Sequence, residues 1–428
     1  MNATKRLSVS AVVALAALSA NPAAGSAQLA NASARTLGMA GTTGASARGF
    51  AAISVNPAGL GMPGNPGFSL AIAPVQLRSG LDPVTLADLK DVEGILVPTS
   101  TKDRWLSEVQ SANGQRGSVG VDISELALSV GRIGFQVSTL VSAELNLSPG
   151  VVQALLYGNA GRTGQPEDIS LTGSTVRGYA VTTAGVSLGF PLPSAAGSMA
   201  LGATLKYSVG HGLILAEGGT GTIQADPVRV DLNFPAVMPD DEDFQINNGT
   251  GVGLDVGFMM QRDRISVSAA VLNLFNTFAW ETQNFIYRPG TARLEEGNND
   301  TDFEKRAYSA APAGLRSAVD GMTFDPVLAL GGGYAVQEDL SLTAEVRNRF
   351  GDGLALGPKF HAGVGAEYRG LKVLHLRGGA ALVTDGFQFG GGATLALGPV
   401  NLSAAGALRT GDLEDTTLAQ FTLSFGGR

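Results

Sequence analysis

The chain has no cysteine and only three histidines among its 428 residues. Without cysteine it cannot be a disulfide-stapled secreted scaffold. His211, His361 and His375 have no companions at metal-ligand spacing. Charge is also scarce: 15% of residues are charged, against ~25% in an ordinary soluble domain. The net charge of −8 leaves no basic patch for nucleic acid. Beyond the N-terminal leader no apolar run approaches the ~20 residues of a membrane-spanning helix. What is abundant is glycine, 59 residues, about twice the usual ~7% share. At 44% hydrophobic residues, the composition is not that of a disordered polar chain.

Residues 1–27 read as a secretory signal. Lys5 and Arg6 supply the basic start, "VSAVVALAALSA" the apolar core, and Gly25 to Ala27 the small residues before cleavage. The mature chain is therefore expected to begin near Gln28.

The strongest pattern in the mature chain has period two. In "IGFQVSTLVSAELNLS", Ile133, Phe135, Val137, Val141, Leu145 and Leu147 alternate with Gly134, Gln136, Ser138, Ser142, Asn146 and Ser148. Side chains on a strand alternate between faces, so one face is apolar and the other mostly polar. "MALGATLKYSV", "LSLTAEVRNRF" and "FHAGVGAEYR" repeat the pattern. Strands of about ten residues with a Gly, Ser, Thr and charge-rich face suit a transmembrane barrel with a wet lumen.

Fourteen such segments are expected, near 67–77, 118–130, 133–146, 176–190, 198–209, 249–260, 264–275, 325–336, 339–349, 359–369, 372–383, 387–397, 400–409 and 417–425. A further hairpin within 210–230 would raise the count. Short and long connections alternate through the first eight strands, as short periplasmic turns and longer outer loops do. Both chain ends then fall on the periplasmic side. Two outer loops carry helix signals: Asp82-Pro83 before 83–92, and Ser148-Pro149 before a segment ending at Gly158.

Catalytic patterns are missing. The runs "PDDEDF" and "EEGNNDTDFE" fit no EF-hand spacing and read as solvated loops. "GGGY" at 331–334 lacks a phosphate-loop pattern, and no Gly-x-Ser-x-Gly elbow stands out. Glu345, Arg347, Arg349, Glu367, Arg369 and Arg377 share the polar face of neighbouring strands. They form either a charge ladder across the wall or, through Arg347, Arg349, Arg369 and Arg377, a luminal path for a carboxylate ligand.

"ARTLGMAGTTGASARGFAAISVNPAGLG", Ala34 to Gly61, resembles the start of the FadL-type family of outer-membrane proteins. That family includes transporters of long-chain fatty acids and other hydrophobic compounds, and PorV-like proteins of a secretion system. "LGATLKYSVG" at 201–210, "AAVLNLFN" at 269–276 and "LRGGAALVTDGFQFGGGATL" at 376–395 extend the resemblance. It implies that the N-terminal segment lies in the lumen as a plug, with Asn56, Pro57 and Ala58 as its plug or gate motif. Glycines in this segment permit close approach to the wall, and Asn56 before Pro57 can close an Asx turn.

The expectation is thus an all-β protein: a transmembrane antiparallel β-barrel of about fourteen strands, residues 67–428, with a plug at 28–66. The resemblance implies a bacterial outer membrane location and passage of fatty-acid-like hydrophobic molecules. A PorV-like barrel that docks partner proteins is the alternative. Outer-membrane lipid, a hydrophobic ligand and the barrel assembly machinery are its expected partners. The last strand places Ala419, Phe421, Leu423 and Phe425 on one face, but "GGR" follows where such barrels end on an aromatic residue. No enzymatic reaction, cofactor, metal or nucleic acid is expected.

Overall fold

The computed structural model describes residues 28–158, 162–240, 242, 245–354, 357–384, 386–411 and 415–426. The signal reading falls on 1–27, outside the described residues.

Fourteen antiparallel strands form one closed wall. In chain order they are β1 (Phe68–Asp82), β2 (Gln115–Val130), β3 (Ile133–Leu147), β4 (Thr175–Leu192), β5 (Ser198–Ala216), β6 (Gly249–Arg262) and β7 (Ile265–Asn276). The second half is β8 (Val327–Ala335), β9 (Leu340–Arg349), β10 (Phe360–Tyr368), β11 (Leu374–Val383), β12 (Gly386–Leu397), β13 (Val400–Gly411) and β14 (Thr416–Gly426). Each strand pairs with its sequence neighbour, and β1 also pairs with β14 through Ile72↔Leu423 and Gln76↔Gln420. Closure leaves no unpaired edge, the condition for crossing lipid with strands.

The alternation takes the inverted sense. Outward residues such as Leu205 (63% exposed), Val364 (60%) and Phe421 (60%) form an apolar outer surface. Inward residues such as Gln136, Thr204, Ser208 and Glu367 are almost fully buried. A soluble sandwich would bury the first set and expose the second. No described helix is long and apolar enough to cross a membrane.

Two of the sequence expectations change in detail. The segment 210–230 does hold a hairpin, Thr220–Ala225 with Val228–Asn233, but it pairs into a separate five-stranded sheet rather than the wall. That sheet also uses Thr291–Glu295 and Asn298–Asp302 from the long 277–326 loop. The expected helix after Asp82 begins later, at Leu86. Its cap is Thr85, whose hydroxyl and backbone close a capping box with Asp88. A second helix, Thr99–Ser111, follows in the same loop. The helix Pro149–Tyr157 ends at Gly158, whose φ of 64° suits only glycine well.

The loop end of the barrel is roofed by an apolar core. Tyr179, Val181, Leu213 and Leu215 point inward from β4 and β5 and meet Phe278, Trp280, Phe285, Leu315, Val319 and Phe324 from the loops. Phe278 packs edge-on against Trp280 at 5.2 Å between ring centres, and Trp280 Nε1 donates to Met322 O at 2.7 Å.

Candidate functional site

The opposite half of the lumen is occupied by residues 28–62. Their helical turns, Ala34–Gly38, Phe50–Val55 and Pro57–Gly61, are short and rich in alanine and glycine, with Ile53 and Leu60 as large buried side chains. Ala32, Ala34, Ala40, Ala52 and Ala58 are fully buried. The segment contacts inward residues from β1 around to β14, so it lies inside the ring.

Asn56 is the best-bonded residue of the motif. It is 1% exposed. Its Oδ1 accepts from Ala58 N–H at 3.1 Å, an Asx-type cap on the Pro57 turn. Its Nδ2 donates to Phe258 O on β6 at 3.2 Å and to Gly44 O at 3.4 Å. Thus one side chain ties the turn to itself, to the wall and to another part of the segment.

The turn fits because the wall beneath it has no side chains. Gly189 on β4, Gly202 on β5 and Gly257 on β6 are direct cross-strand partners in one row. A Cβ on Gly202 would lie 2.2 Å from Ala58 N, and one on Gly257 would lie 2.1 Å from Asn56 Oδ1. A Cβ on Gly189 would lie 2.3 Å from Gly61 N. Any other residue there would lift the turn off the wall.

The rest of the segment is held by directed polar contacts. On one side Ala30 N donates to Ser138 Oγ at 3.0 Å, and Gln136 Nε2 donates to Ala30 O at 2.6 Å. On another, Gly44 N donates to Glu345 Oε2 at 2.8 Å, and Arg347 Nη2 donates to Gly41 O at 2.8 Å. His361 Nε2 donates to Ala40 O at 2.7 Å. Arg35 pairs with Glu367 at 3.0 Å. Beyond the segment, Lys206 and Asp255 form a buried ion pair that Asn273 joins.

The four arginines singled out from the sequence divide into two places. Arg347 and Arg349 line a cavity of about 190 Å³ beside the segment, together with Arg78, Arg409, Asp122 and Glu345. Arg369 and Arg377 are not among its lining residues. Both bind Glu367, Arg377 at 2.8 Å with its side chain 5% exposed, and the same carboxylate holds Arg35. Sequence reading misses Arg35, Arg78 and Arg409. Arg78 and Arg409 sit at inward positions of β1 and β13, so the alternation marks their face, but nothing local marks their convergence. Among the described residues no group of three or more potential ligands is disposed to hold a metal ion.

A fourteen-stranded barrel with its N-terminal segment bonded into the lumen is a recognisable class. Similar solved structures are a Pseudomonas aeruginosa FadL homologue and the TodX monoaromatic hydrocarbon channel, the latter as a deltaS2 mutant. The first has a TM-score of 0.50 at 12% identity, covering 95% of this chain and all of that one. The second has a TM-score of 0.50 at 11% identity, covering 91% of this chain and 96% of that one. The fold is therefore that of the FadL-type barrel. In sequence, a family of unknown function (DUF5723) matches residues 68–275, β1 through β7. No curated protein matches the sequence.

Proposed function

We propose that this protein is a gated channel of the bacterial outer membrane, inserted by the barrel assembly machinery, that admits hydrophobic or amphiphilic small molecules. No reaction is catalysed. The observation that carries this reading is the way residues 28–62 close the lumen. A permanent filling would be expected to pack through large apolar side chains. This segment buries a few large side chains, Met39, Ile53 and Leu60, but is held mainly by separate hydrogen bonds on a bed of glycines, contacts that can be broken one group at a time. Residues 28–66 then act as the plug, and Asn56, Pro57 and Ala58 as its latch. The 190 Å³ cavity gives the lumen a pre-formed space, with Leu29, Leu37, Leu140 and Leu418 among its walls. The FadL-type fold supports the same reading.

The test removes the latch. Asn56→Ala with Pro57→Gly loses hydrogen bonds worth ~0.5–1.5 kcal/mol each and adds chain freedom worth ~0.4–1 kcal/mol. The wall carries its own hydrogen bonds, so the variant should insert and remain heat-modifiable on gels. Its leak, or its uptake of a hydrophobic solute, should change. If insertion and permeability both match the parent, the gate reading is wrong.

One observation favours the docking alternative. The loop tip at Ile95 and Leu96 (92% exposed) and the nearby helix residue Leu155 (72%) present apolar side chains outside the wall. A PorV-like barrel would use such a surface for a partner protein. Replacing these three residues with serine should then abolish partner capture while leaving permeability untouched.

A further inference from the structure

Two cavities at the loop end of the lumen share part of their walls. The inner one, about 190 Å³, is lined by Arg78, Arg347, Arg349 and Arg409 with Asp122 and Glu345. The outer one, about 350 Å³, lies between the loop-side ends of the strands, where Arg116, Arg177 and Glu144 join Arg78 and Arg409. Arg78 and Arg409 border both, so the inner cavity lies against the buried N-terminal segment and the outer one lies on its loop side, and we treat the two as one passage.

Two of the guanidinium groups that line the inner cavity, Arg78 and Arg349, meet only neutral acceptors among the described residues. Glu345 is already engaged by Gly44 N–H and by Arg347 at 3.2 Å. Arg78 donates to Ser142 Oγ at 2.7 Å, and Arg349 to Leu354 O at 3.1 Å. Both acceptors are neutral. Among the described residues neither arginine has an ion pair within 4.0 Å. The Nε groups of Arg347 and Arg349 are buried donors with no hydrogen-bond partner. Such groups are costly to leave unmet.

We propose that this passage binds a compact dianion of the phosphate class, entering from the loop side and held by Arg78, Arg347, Arg349 and Arg409. A guanidinium fork matches two oxygens of a phosphate. Two guanidinium charges without an ion pair, those of Arg78 and Arg349, between low-dielectric walls favour a doubly over a singly charged anion. Size limits the guest as well: drug-sized ligands occupy ~300–1,000 Å³, so with the N-terminal segment seated the inner cavity takes a head group and not a long chain. This deepens the channel reading by naming the polar end of what the lumen accepts. It rests on that reading for passage, but not for binding.

Binding can be measured on the purified full mature barrel in non-ionic detergent, at a pH above the second ionisation of both phosphate probes. The probes are inorganic phosphate, monodecyl phosphate and decanoate, followed by calorimetry. Inorganic phosphate should bind and weaken with added sodium chloride. Arg78→Gln with Arg349→Gln should lower affinity about tenfold or more. Arg78→Lys with Arg349→Lys keeps the charge but loses the fork and should fall between. Arg104→Gln, on the outer Thr99–Ser111 helix, should change nothing. Monodecyl phosphate much tighter than inorganic phosphate assigns the phosphate to an amphiphile; equal affinity assigns it to a free solute. No binding of either phosphate, decanoate binding as well as phosphate, or an equal loss in Arg104→Gln would overturn the proposal. Heat-modifiable migration certifies folding, and the lysine pair decides the matter if the glutamine pair fails to fold. An unaltered leak in the Asn56/Pro57 variant would sink the gate reading while leaving phosphate binding intact.

Discussion

The two ends of the lumen are built by opposite means, and the loop end is roofed on the β4 and β5 side only. At the loop end, fifteen buried residues, all but Ala311 and Met322 aromatic or branched, make one apolar core. At the other end, the clusters around residues 28–62 hold three to five buried residues and are mostly alanine. There the segment is located by hydrogen bonds and by glycines that let backbone lie on backbone. Burial of large apolar groups is non-directional and cooperative, so the roof moves as a unit or not at all. Directed polar contacts can be exchanged for water or for a ligand. On the proposed gate reading, the roof is the permanent part and the floor the part that releases.

The contrast has an all-or-none test. Cysteine at Asn298, in the roof's outer sheet, should react with an impermeant reagent on whole cells, and cysteine at Arg262, in the turn after β6, should not. The native absence of cysteine keeps the background clean. Labelling at Arg262 alone would turn the barrel over and exchange roof and floor.

Next in size is the roof itself. Trp280→Ala removes a 7% exposed side chain, its edge-on contact with Phe278 and its bond to Met322. A loss of ~3–5 kcal/mol is expected, seen as a lower unfolding temperature of the loop region by fluorescence. A loss below about 1 kcal/mol would mean that the roof is loose and the contrast overstated.

The floor should respond differently. In Gly202→Val the new Cβ would stand 2.2 Å from Ala58 N. Valine suits a strand, so the wall should close as before, while the displaced turn costs ~1–3 kcal/mol. Raised conductance with unchanged heat-modifiability is the expected pair of results. Unchanged conductance would show that the Pro57 turn does not seal.

The smallest effect lies in the first outer loop. Hydrogen bonds from the Thr85 hydroxyl and backbone hold the Asp88 carboxyl down at about 2, and Arg104 adds to this. A depressed carboxyl stabilises fully above the unfolded value of ~3.9 and loses that contribution as pH falls toward 2. Hydrogen-exchange protection along Leu86–Asp91, relative to the intrinsic rate at each pH, should therefore fall between about pH 4 and 2, and Asp88→Asn should flatten the dependence.

Much of the wall is legible in the residue pattern. All fourteen strands lie where the alternation places them, because a strand between lipid and lumen must carry an apolar side along its whole membrane depth. The boundaries slip at the loop ends: β1 runs on to Asp82 and β5 to Ala216. There the outward face leaves the lipid and the pattern fades. The helix Thr99–Ser111 escapes the pattern because "TSTKDRWLSEVQS" has only Trp105, Leu106 and Val109 to bury, too few for a clear stripe. The hairpin near 220 is foreseeable, but not its sheet, since its pairing with Thr291–Glu295 spans a long loop.

The candidate site is legible in its parts and not in their meeting. Local physics determined that Asn56 before Pro57 makes a turn, that Arg347 and Arg349 face the lumen, and that connections alternate in length. Each depends on a residue and its near neighbours. Only the closed tertiary structure decided that the turn rests on Gly189, Gly202 and Gly257, three residues from three strands brought into one row by register. It alone carried Arg78 and Arg409 to the cavity of Arg347 and Arg349. Register around a closed barrel is a property of the whole ring: shifting one strand by one residue turns its faces over, and no stretch of sequence holds that information by itself.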